Sequence, residues 1–252
     1  MVARTHGRAL ISASNKIPCF PRSTLLNGSA NRYSSSEVQH FRGSLVLESD
    51  VPRTMKDLAI RNQRIAALRQ PHIAPLTDFV VSLRTRDANE YPYFDPADGG
   101  IDASILFLLE KPGPMTVDVG RGSRAGSGFI SRDNDDPTAE ASFRFWRDAG
   151  IPRKQTVLWN IVPGWNGTRS ISNTELEGGV ADLRQLLALL PNLRVVVLVG
   201  QKAARAEALV QANTNLTIFK SDHPSPLVRA RHPSRWLQIT AAWQKAWQVA
   251  SR

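Results

Sequence analysis

The chain has 252 residues, with 32 lysines and arginines against 22 aspartates and glutamates, so its formal net charge is +10. This length suits one or two domains with a full hydrophobic core. The single cysteine, Cys19, excludes an internal disulfide, a cysteine-based zinc site and an iron–sulfur cluster. No apolar run approaches the roughly 20 residues of a membrane helix. We therefore expect a soluble, basic protein of a reducing compartment, with a polyanion as its partner.

The basic excess is concentrated near the N-terminus. Residues 1–36 contain five basic residues, no acidic residue and many Ser, Asn and Gly residues. This composition predicts a basic, disordered N-terminal extension over residues 1–54, followed by a folded domain over residues 55–252. The extension also has the composition of a mitochondrial transit peptide. We expect a bacterial cytoplasmic protein, or a mitochondrial one if the extension is such a peptide.

From residue 55 onward, helix and strand signals alternate along the chain. The predicted elements are helices over 57–69 and 76–83, a strand over 104–109, a long loop over 116–137, a helix over 138–149, a strand over 156–162, a helix over 179–190, a strand over 194–199, a helix over 202–211, a strand over 216–220 and a helix over 234–250. This alternation predicts a three-layer α/β/α sandwich around a mainly parallel, four-stranded sheet.

Polar loops that contain proline follow three of the predicted strands. They cover residues 110–114, 160–168 and 221–227. In open α/β sheets, ligands bind at the carboxyl ends of the strands. We therefore expect these three loops to converge on one edge of the sheet and to form the functional site there.

Four motifs in these loops are informative in combination. The chain reads HPSPL at residues 223–227, VLWNIVP around Asn160, GSGFIS around Phe129 and LLEKPGP at residues 108–114. In this order, over about residues 104–240, they resemble the motifs of the uracil-DNA glycosylase superfamily. LLEKPGP occupies the place of the first-strand loop that reads Gly-Glu-Ala-Pro-Gly or Gly-Met-Asn-Pro-Gly in that family.

The resemblance implies a DNA glycosylase that rotates uracil or a related deaminated base out of DNA and hydrolyses its N-glycosidic bond, in base-excision repair. By this resemblance, His223 donates a hydrogen bond to the oxygen of the departing base, where negative charge develops. Asn160 reads the edge of the base with its amide, and Phe129 stacks on the base. No metal or other cofactor is implied. The expected partner is DNA that contains a damaged base, with no membrane association, and the protein is expected to be a monomer.

Two further groups of residues follow from the same resemblance. The first-strand loop contributes four residues to base binding: Glu110, Lys111, Pro112 and Gly113. The last-strand loop contributes four residues to the DNA wedge and backbone contacts: Ser225, Pro226, Leu227 and Arg229. Leu227 would fill the stack that the flipped base leaves, and Arg229 would bind a backbone phosphate.

Lys111 departs from the family pattern. Relatives often have Asp or Asn at this place to position the attacking water, and a lysine cannot activate water unless its pKa falls strongly. We predict that Asp133, in the acidic stretch after Phe129, is the water-positioning base, with Glu110 as an alternative. A third possibility is that Lys111 itself attacks the sugar, as the nucleophile of a lyase.

Two rival functions remain open at this point. Lys111 favours an inactive superfamily member that binds DNA or a nucleobase without cleaving it. A small-molecule hydrolase on a similar frame is disfavoured, because the sequence has no G-x-S-x-G elbow, metal-ligand cluster or Walker loop.

Overall fold

The computed structural model describes residues 51–117, 126–212 and 215–252. Most of the predicted N-terminal extension, Cys19 and part of the predicted loop over 116–137 lie outside these ranges. All the described residues belong to one compact unit, Ser44–Arg252. Within the described ranges, no helix has the length and apolar character needed to cross a membrane.

Parallel strands form the centre of the fold. The strands are β1 (Tyr93–Phe94), β2 (Ile105–Leu109), β3 (Phe129–Ile130), β4 (Thr156–Asn160), β5 (Val195–Val199) and β6 (Thr217–Ser221). The main sheet has the order β4-β2-β5-β6, and β1 pairs with β3 in a separate two-stranded sheet. Every pairing is parallel. The four-stranded parallel sheet is therefore confirmed, whereas the short pair β1–β3 was not predicted.

Helices account for most of the remaining described chain. They are α1 (Leu58–Ala66), α2 (Ala74–Arg84), α3 (Pro137–Asp148), α4 (Asn173–Ala188), α5 (Gln201–Ala204), α6 (Glu207–Gln211), α7 (Pro226–Arg231), α8 (Pro233–Leu237) and α9 (Ile239–Ala250). Short 3₁₀ helices occupy Thr54–Lys56, Gly100–Asp102 and Arg153–Gln155.

Four helix predictions need correction. The predicted helices over 202–211 and 234–250 are each divided in two, and α7 begins within the predicted loop over 221–227 and continues beyond it. Helix α4 begins six residues earlier than the apolar pattern indicated. Its start is set by a capping box, in which the Ser172 hydroxyl accepts from the Glu175 amide and the Glu175 carboxylate accepts from the Ser172 amide.

Aromatic side chains join the main sheet to helices on both of its faces. On one face, Phe107 of β2 lies 4.9 Å from Trp146 of α3 and 4.9 Å from Trp243 of α9, ring centre to ring centre. On the other face, Trp159 of β4 stacks on Phe94 at 4.3 Å and contacts Phe79 of α2. All residues of β5 are buried, as expected for a strand covered on both faces. The three-layer α/β/α sandwich is thus confirmed.

Candidate functional site

A cleft of about 740 Å³ opens at the carboxyl ends of the main-sheet strands. The residues directly after β2 and β6, the last residue of β4 and the first residues of α5 line it, together with the segment that leads from β3 into α3. Residues of all three predicted strand-end loops thus line the cleft, and the loop over 160–168 contributes Asn160. A cleft in this position is where an open α/β sheet binds its ligand.

Asn160 supplies a buried amide to this cleft. It is the last residue of β4 and pairs in register with Leu109 of β2, so its backbone is fixed by the sheet. Its side chain is 5% exposed, and Oδ1 has no hydrogen-bond partner among the described residues. Leaving such an acceptor unsatisfied costs about 1–3 kcal/mol. A ligand with an N–H group on its edge would satisfy it.

His223 enters the cleft from the loop after β6. The Ser225 amide donates to the His223 carbonyl at 2.8 Å, and the Ser225 hydroxyl accepts from the Val228 amide to cap α7. Burial lowers the pKa of the His223 imidazole, although the Glu110 and Asp136 carboxylates oppose the shift. The imidazole is therefore neutral at neutral pH. In that state one ring nitrogen donates a hydrogen bond without bringing a full charge into the cleft.

Glu110 and His223 both lie close to Gly200, the residue that directly follows β5. A Cβ at position 200 would lie 2.6 Å from Glu110 Oε1 and 3.1 Å from the His223 Cβ. Gly200 also has a φ of 96°, a conformation that favours glycine. The Glu110 Oε1 accepts a hydrogen bond from the Lys202 amide at 3.1 Å. The glycine therefore leaves room for the Glu110 carboxylate and for the Cβ of His223.

Lys111 lies beside the cleft, but its ammonium group is occupied. Nζ donates to Asn166 Oδ1 at 2.9 Å, to the Ser170 carbonyl at 2.9 Å and to Glu175 Oε1 at 2.6 Å. The side chain is 3% exposed. All three donors of the ammonium group are thus used in contacts within the protein. This arrangement does not agree with Lys111 as the nucleophile of a lyase.

The neighbouring residues Pro112 and Gly113, for which the resemblance implies contacts with the base, also line the cleft. Gly113 faces the side chain of Arg169, whose guanidinium nitrogen lies 3.5 Å from the position of a Cβ at residue 113. Arg169 also lines the cleft and is exposed to solvent. The sequence analysis missed it, because it lies one residue beyond the loop assigned to this strand end.

Asp133 lies outside the cleft, which corrects the prediction that it positions the water. Its side chain is 0% exposed, and Oδ2 accepts from Arg64 at 3.0 Å and from Arg153 at 2.8 Å. Both contacts are to guanidinium groups in the interior. The carboxylate is therefore part of the packing beneath the cleft and has no path to a substrate there.

Phe129 also lies outside the cleft. It is 1% exposed and packs with Met55 and Leu68. Side chains alternate between the two faces of a strand, so in β3 the next residue, Ile130, points the other way and lines the cleft instead. The structure therefore does not bring Phe129 to the position of a base-stacking ring.

Six buried charged side chains form an ion-pair cluster below the β3–α3 segment. They are three guanidinium and three carboxylate groups: Arg64, Arg132, Arg153, Asp95, Asp98 and Asp133. Burial raises the pKa of Asp98 to about 6 and lowers the pKa of Arg132 to about 10. Burial alone would raise the pKa of Asp95 as well, but Arg153 and Arg64 outweigh it and hold that pKa low. The ion-pair cluster fixes the segment that forms one wall of the cleft.

Asp136 is the acidic residue of this segment that reaches the cleft. It is the N-cap of α3, and its Oδ1 accepts from the Thr138 amide at 2.9 Å and the Ala139 amide at 3.0 Å. Burial raises the pKa of the Asp136 carboxyl against the effect of these two hydrogen bonds. The sequence contains a sign of this cap. Proline is common at the first position of a helix, so Pro137 marks the residue before it, Asp136, as the N-cap.

The residues predicted to contact DNA lie along the rim formed by α7. Ser225, Pro226 and Leu227 line the cleft, and the Leu227 side chain is 57% exposed. Arg229 is exposed but does not line the cleft, whereas Arg231, two residues further on, does.

Comparison with known proteins gives a family and a distant structural likeness. No curated protein matches the sequence. A crystal structure of a mimivirus UNG variant in complex with UGI is similar at 15% identity and a TM-score of 0.32, over 65% of this chain and 68% of that chain. The family model described as "Uracil DNA glycosylase superfamily" matches residues 96–248, which is more than half of the chain. This match covers all the strand-end loops that form the cleft, and the chain belongs to the uracil DNA glycosylase superfamily.

Proposed function

We propose that this protein is a monofunctional DNA glycosylase that hydrolyses the N-glycosidic bond of uracil or a related deaminated base in base-excision repair. Members of its superfamily are DNA glycosylases. The observation that carries the proposal is the pairing of two groups in one cleft. Asn160 offers a buried amide oxygen without a partner among the described residues, and His223 offers a neutral imidazole.

These two groups suit a deaminated base that has been rotated out of the duplex. Such a base has an N–H group next to a carbonyl, so the Asn160 oxygen accepts from the N–H. The His223 imidazole donates to a base oxygen. As the glycosidic bond breaks, its electron pair moves onto the base, and this hydrogen bond stabilises the negative charge where it develops.

Asp136 is our candidate for the group that positions the attacking water, in place of Asp133. One of its carboxylate oxygens caps α3, which holds the group in a fixed orientation beside the cleft. The water oxygen bonds to C1′ of the sugar as the base leaves, and the carboxylate takes the proton of the water. A raised pKa makes Asp136 a better proton acceptor than an ordinary surface aspartate.

Leu227 is our candidate for the wedge that enters the stack of the duplex. An exposed leucine on the rim of the cleft gains by burial between bases, and apolar wedges of this kind offset the cost of unstacking. Arg229 and Arg231 follow on the same helix and carry charges suited to backbone phosphates.

The proposal is tested with single-stranded and double-stranded oligonucleotides that contain uracil, hypoxanthine, xanthine or a thymine mismatch, followed by alkaline cleavage of abasic sites. We expect base release by the wild type and its loss in His223→Ala and Asn160→Ala. Asn192→Ala is the matched control, because Asn192 is exposed in the loop before β5, at the opposite end of the sheet. DNA binding without release of any base would favour the binding-only alternative.

A further inference from the structure

We propose that Lys111 is a positioning residue that holds the β4–α4 loop (residues 161–172), so that Arg169 binds a phosphate of the DNA strand at the mouth of the cleft. The inference rests on the proposed function. It gives a role both to the residue at which the chain departs from the family motif and to an arginine that the proposed chemistry does not use.

The Lys111 ammonium joins three separate points of the chain. Asn166 lies within the β4–α4 loop, Ser170 lies near its end, and Glu175 lies in the first turn of α4. Glu175 in turn accepts from the Asn166 amide group at 3.0 Å and from the Ser172 backbone amide at 2.8 Å. The middle and the end of the loop are therefore tied to one buried lysine.

This loop has features that call for such a tie. Its part from residue 166 to residue 170 is exposed and contains Gly167, whose φ of 87° is a conformation that favours glycine. Fixing a loop residue costs about 1–2 kcal/mol in backbone entropy. The Lys111 contacts offset part of that cost before any ligand binds, which is the general advantage of a preorganised site.

The backbone around Arg169 is held on both sides, whereas its side chain is left available. Lys111 donates to the carbonyl of Ser170, and Lys202 Nζ donates to the carbonyl of Arg169 at 3.1 Å. The guanidinium extends over Gly113 and lines the cleft, where its charge acts to lower the pKa values of Asp136 and His223 without a hydrogen bond or ion pair to any described residue. A planar guanidinium in a fixed position is well suited to hydrogen-bond a phosphate with two of its N–H groups.

The position of Arg169 favours a backbone phosphate over the base as its ligand. The guanidinium is exposed at the mouth of the cleft, whereas Asn160 is buried. A flipped nucleotide must leave its flanking phosphates at the mouth while its base enters. Lys111 itself is not the phosphate ligand, because it is 3% exposed and its charge is paired with Glu175.

The test compares Arg169→Gln, Lys111→Met and the double variant, with Arg184→Gln as the matched control. Arg184 is exposed on α4, so its substitution removes the same charge away from the cleft. For Arg169→Gln we expect KM to rise about tenfold, kcat to stay within about twofold, and the salt dependence of DNA affinity to fall by about one unit. Lys111→Met should change KM and salt dependence in the same direction, and it should speed amide hydrogen exchange in residues 166–172. Arg184→Gln should match the wild type.

The double variant tests whether Lys111 acts through Arg169. If it does, the double variant has the same KM and the same DNA affinity as Arg169→Gln, since the lysine only positions the arginine. Additive losses, or an Arg169→Gln variant with wild-type KM and salt dependence, would overturn the inference. Glu175→Gln keeps the lysine and should reproduce the faster amide hydrogen exchange if Lys111→Met folds poorly.

DNA affinity is also measured on an oligonucleotide with 2′-fluorinated deoxyuridine, which resists cleavage. A loss of affinity in Arg169→Gln without base release by the wild type would mean that the proposed function fails while the phosphate contact stands.

Discussion

The substitution Asp133→Asn separates a structural role of this residue from the catalytic role that the sequence suggested. The change removes one of three negative charges from the ion-pair cluster and leaves three guanidinium groups facing two carboxylates. Arg64 and Arg153 each lose their charge-assisted bond to Asp133, with all three side chains almost fully buried. Removing one partner of a buried ion pair costs about 3–5 kcal/mol.

We expect the lower part of this range, about 3 kcal/mol, because asparagine keeps one carbonyl oxygen as an acceptor. For a domain of this size each kcal/mol shifts Tm by about 2–4 °C, so Tm should fall by about 6–12 °C. Urea unfolding followed by tryptophan fluorescence measures the free energy directly. Base release is measured on the folded variant, well below its Tm, where we expect it to be retained.

Asp135→Asn is the matched control, since it makes the same change two residues away in a partly exposed ion pair of 3.4 Å with Arg53. There we expect a change in the free energy of unfolding of less than about 1 kcal/mol. The reasoning is refuted if Asp133→Asn unfolds like the wild type but releases no base. That result would mean that the carboxylate acts in the chemistry.

Three further predictions concern the cleft and its support. Asp136→Asn should lower the rate of single-turnover base release by about 10²-fold or more. The free energy of unfolding should be nearly unchanged, because asparagine is also a good N-cap. A loss of stability together with the loss of base release would point to a folding defect. Gly200→Ala should reduce base release, because its Cβ would meet Glu110 at 2.6 Å and His223 at 3.1 Å, and a normal rate would contradict the close approach. Burial raises the pKa of Asp98 to about 6 in the folded state, so that state holds the proton more tightly than the unfolded chain, and the free energy of unfolding should fall by about 2 kcal/mol between pH 4 and pH 6. Comparison of pH-dependent urea unfolding for the wild type and Asp98→Asn checks this, and parallel curves would contradict it.

The sequence allowed the frame of the cleft to be predicted because that frame depends on local patterns. Short β-branched and apolar runs such as β5 are buried on both faces, and parallel strands bring their carboxyl ends to one edge. The loops that contain Asn160 and His223 could be assigned to the cleft for this reason, and the family resemblance singled out these two residues within them. Their positions follow from where two strands end, and no distant contact is needed to fix them.

The roles of Lys111 and Asp133 could not be predicted in this way, because both depend on partners distant in sequence. The three residues to which Lys111 donates hydrogen bonds are separated from it in the sequence by 55, 59 and 64 positions. Asp133 meets Arg64, which lies 69 positions earlier. An acidic residue in a polar loop gives no local sign of whether it points outward or is neutralised inside. Helix α7 escaped prediction because its six residues are too few to show a helical period.

The contact between Arg64 and Asp133 bears on where the functional unit begins in the sequence. It lies in α1, outside the part of the chain that matches the family model, yet it holds Asp133 in the segment that forms one cleft wall. The same is true of Met55, whose amide donates to the Asp133 carbonyl at 3.0 Å. A fragment cut to the family match would retain Asn160, His223 and Asp136 but lose the support of that wall. In this protein the segment before the matched region is therefore a part of the framework of the cleft, and the shared family region alone does not define the folded unit.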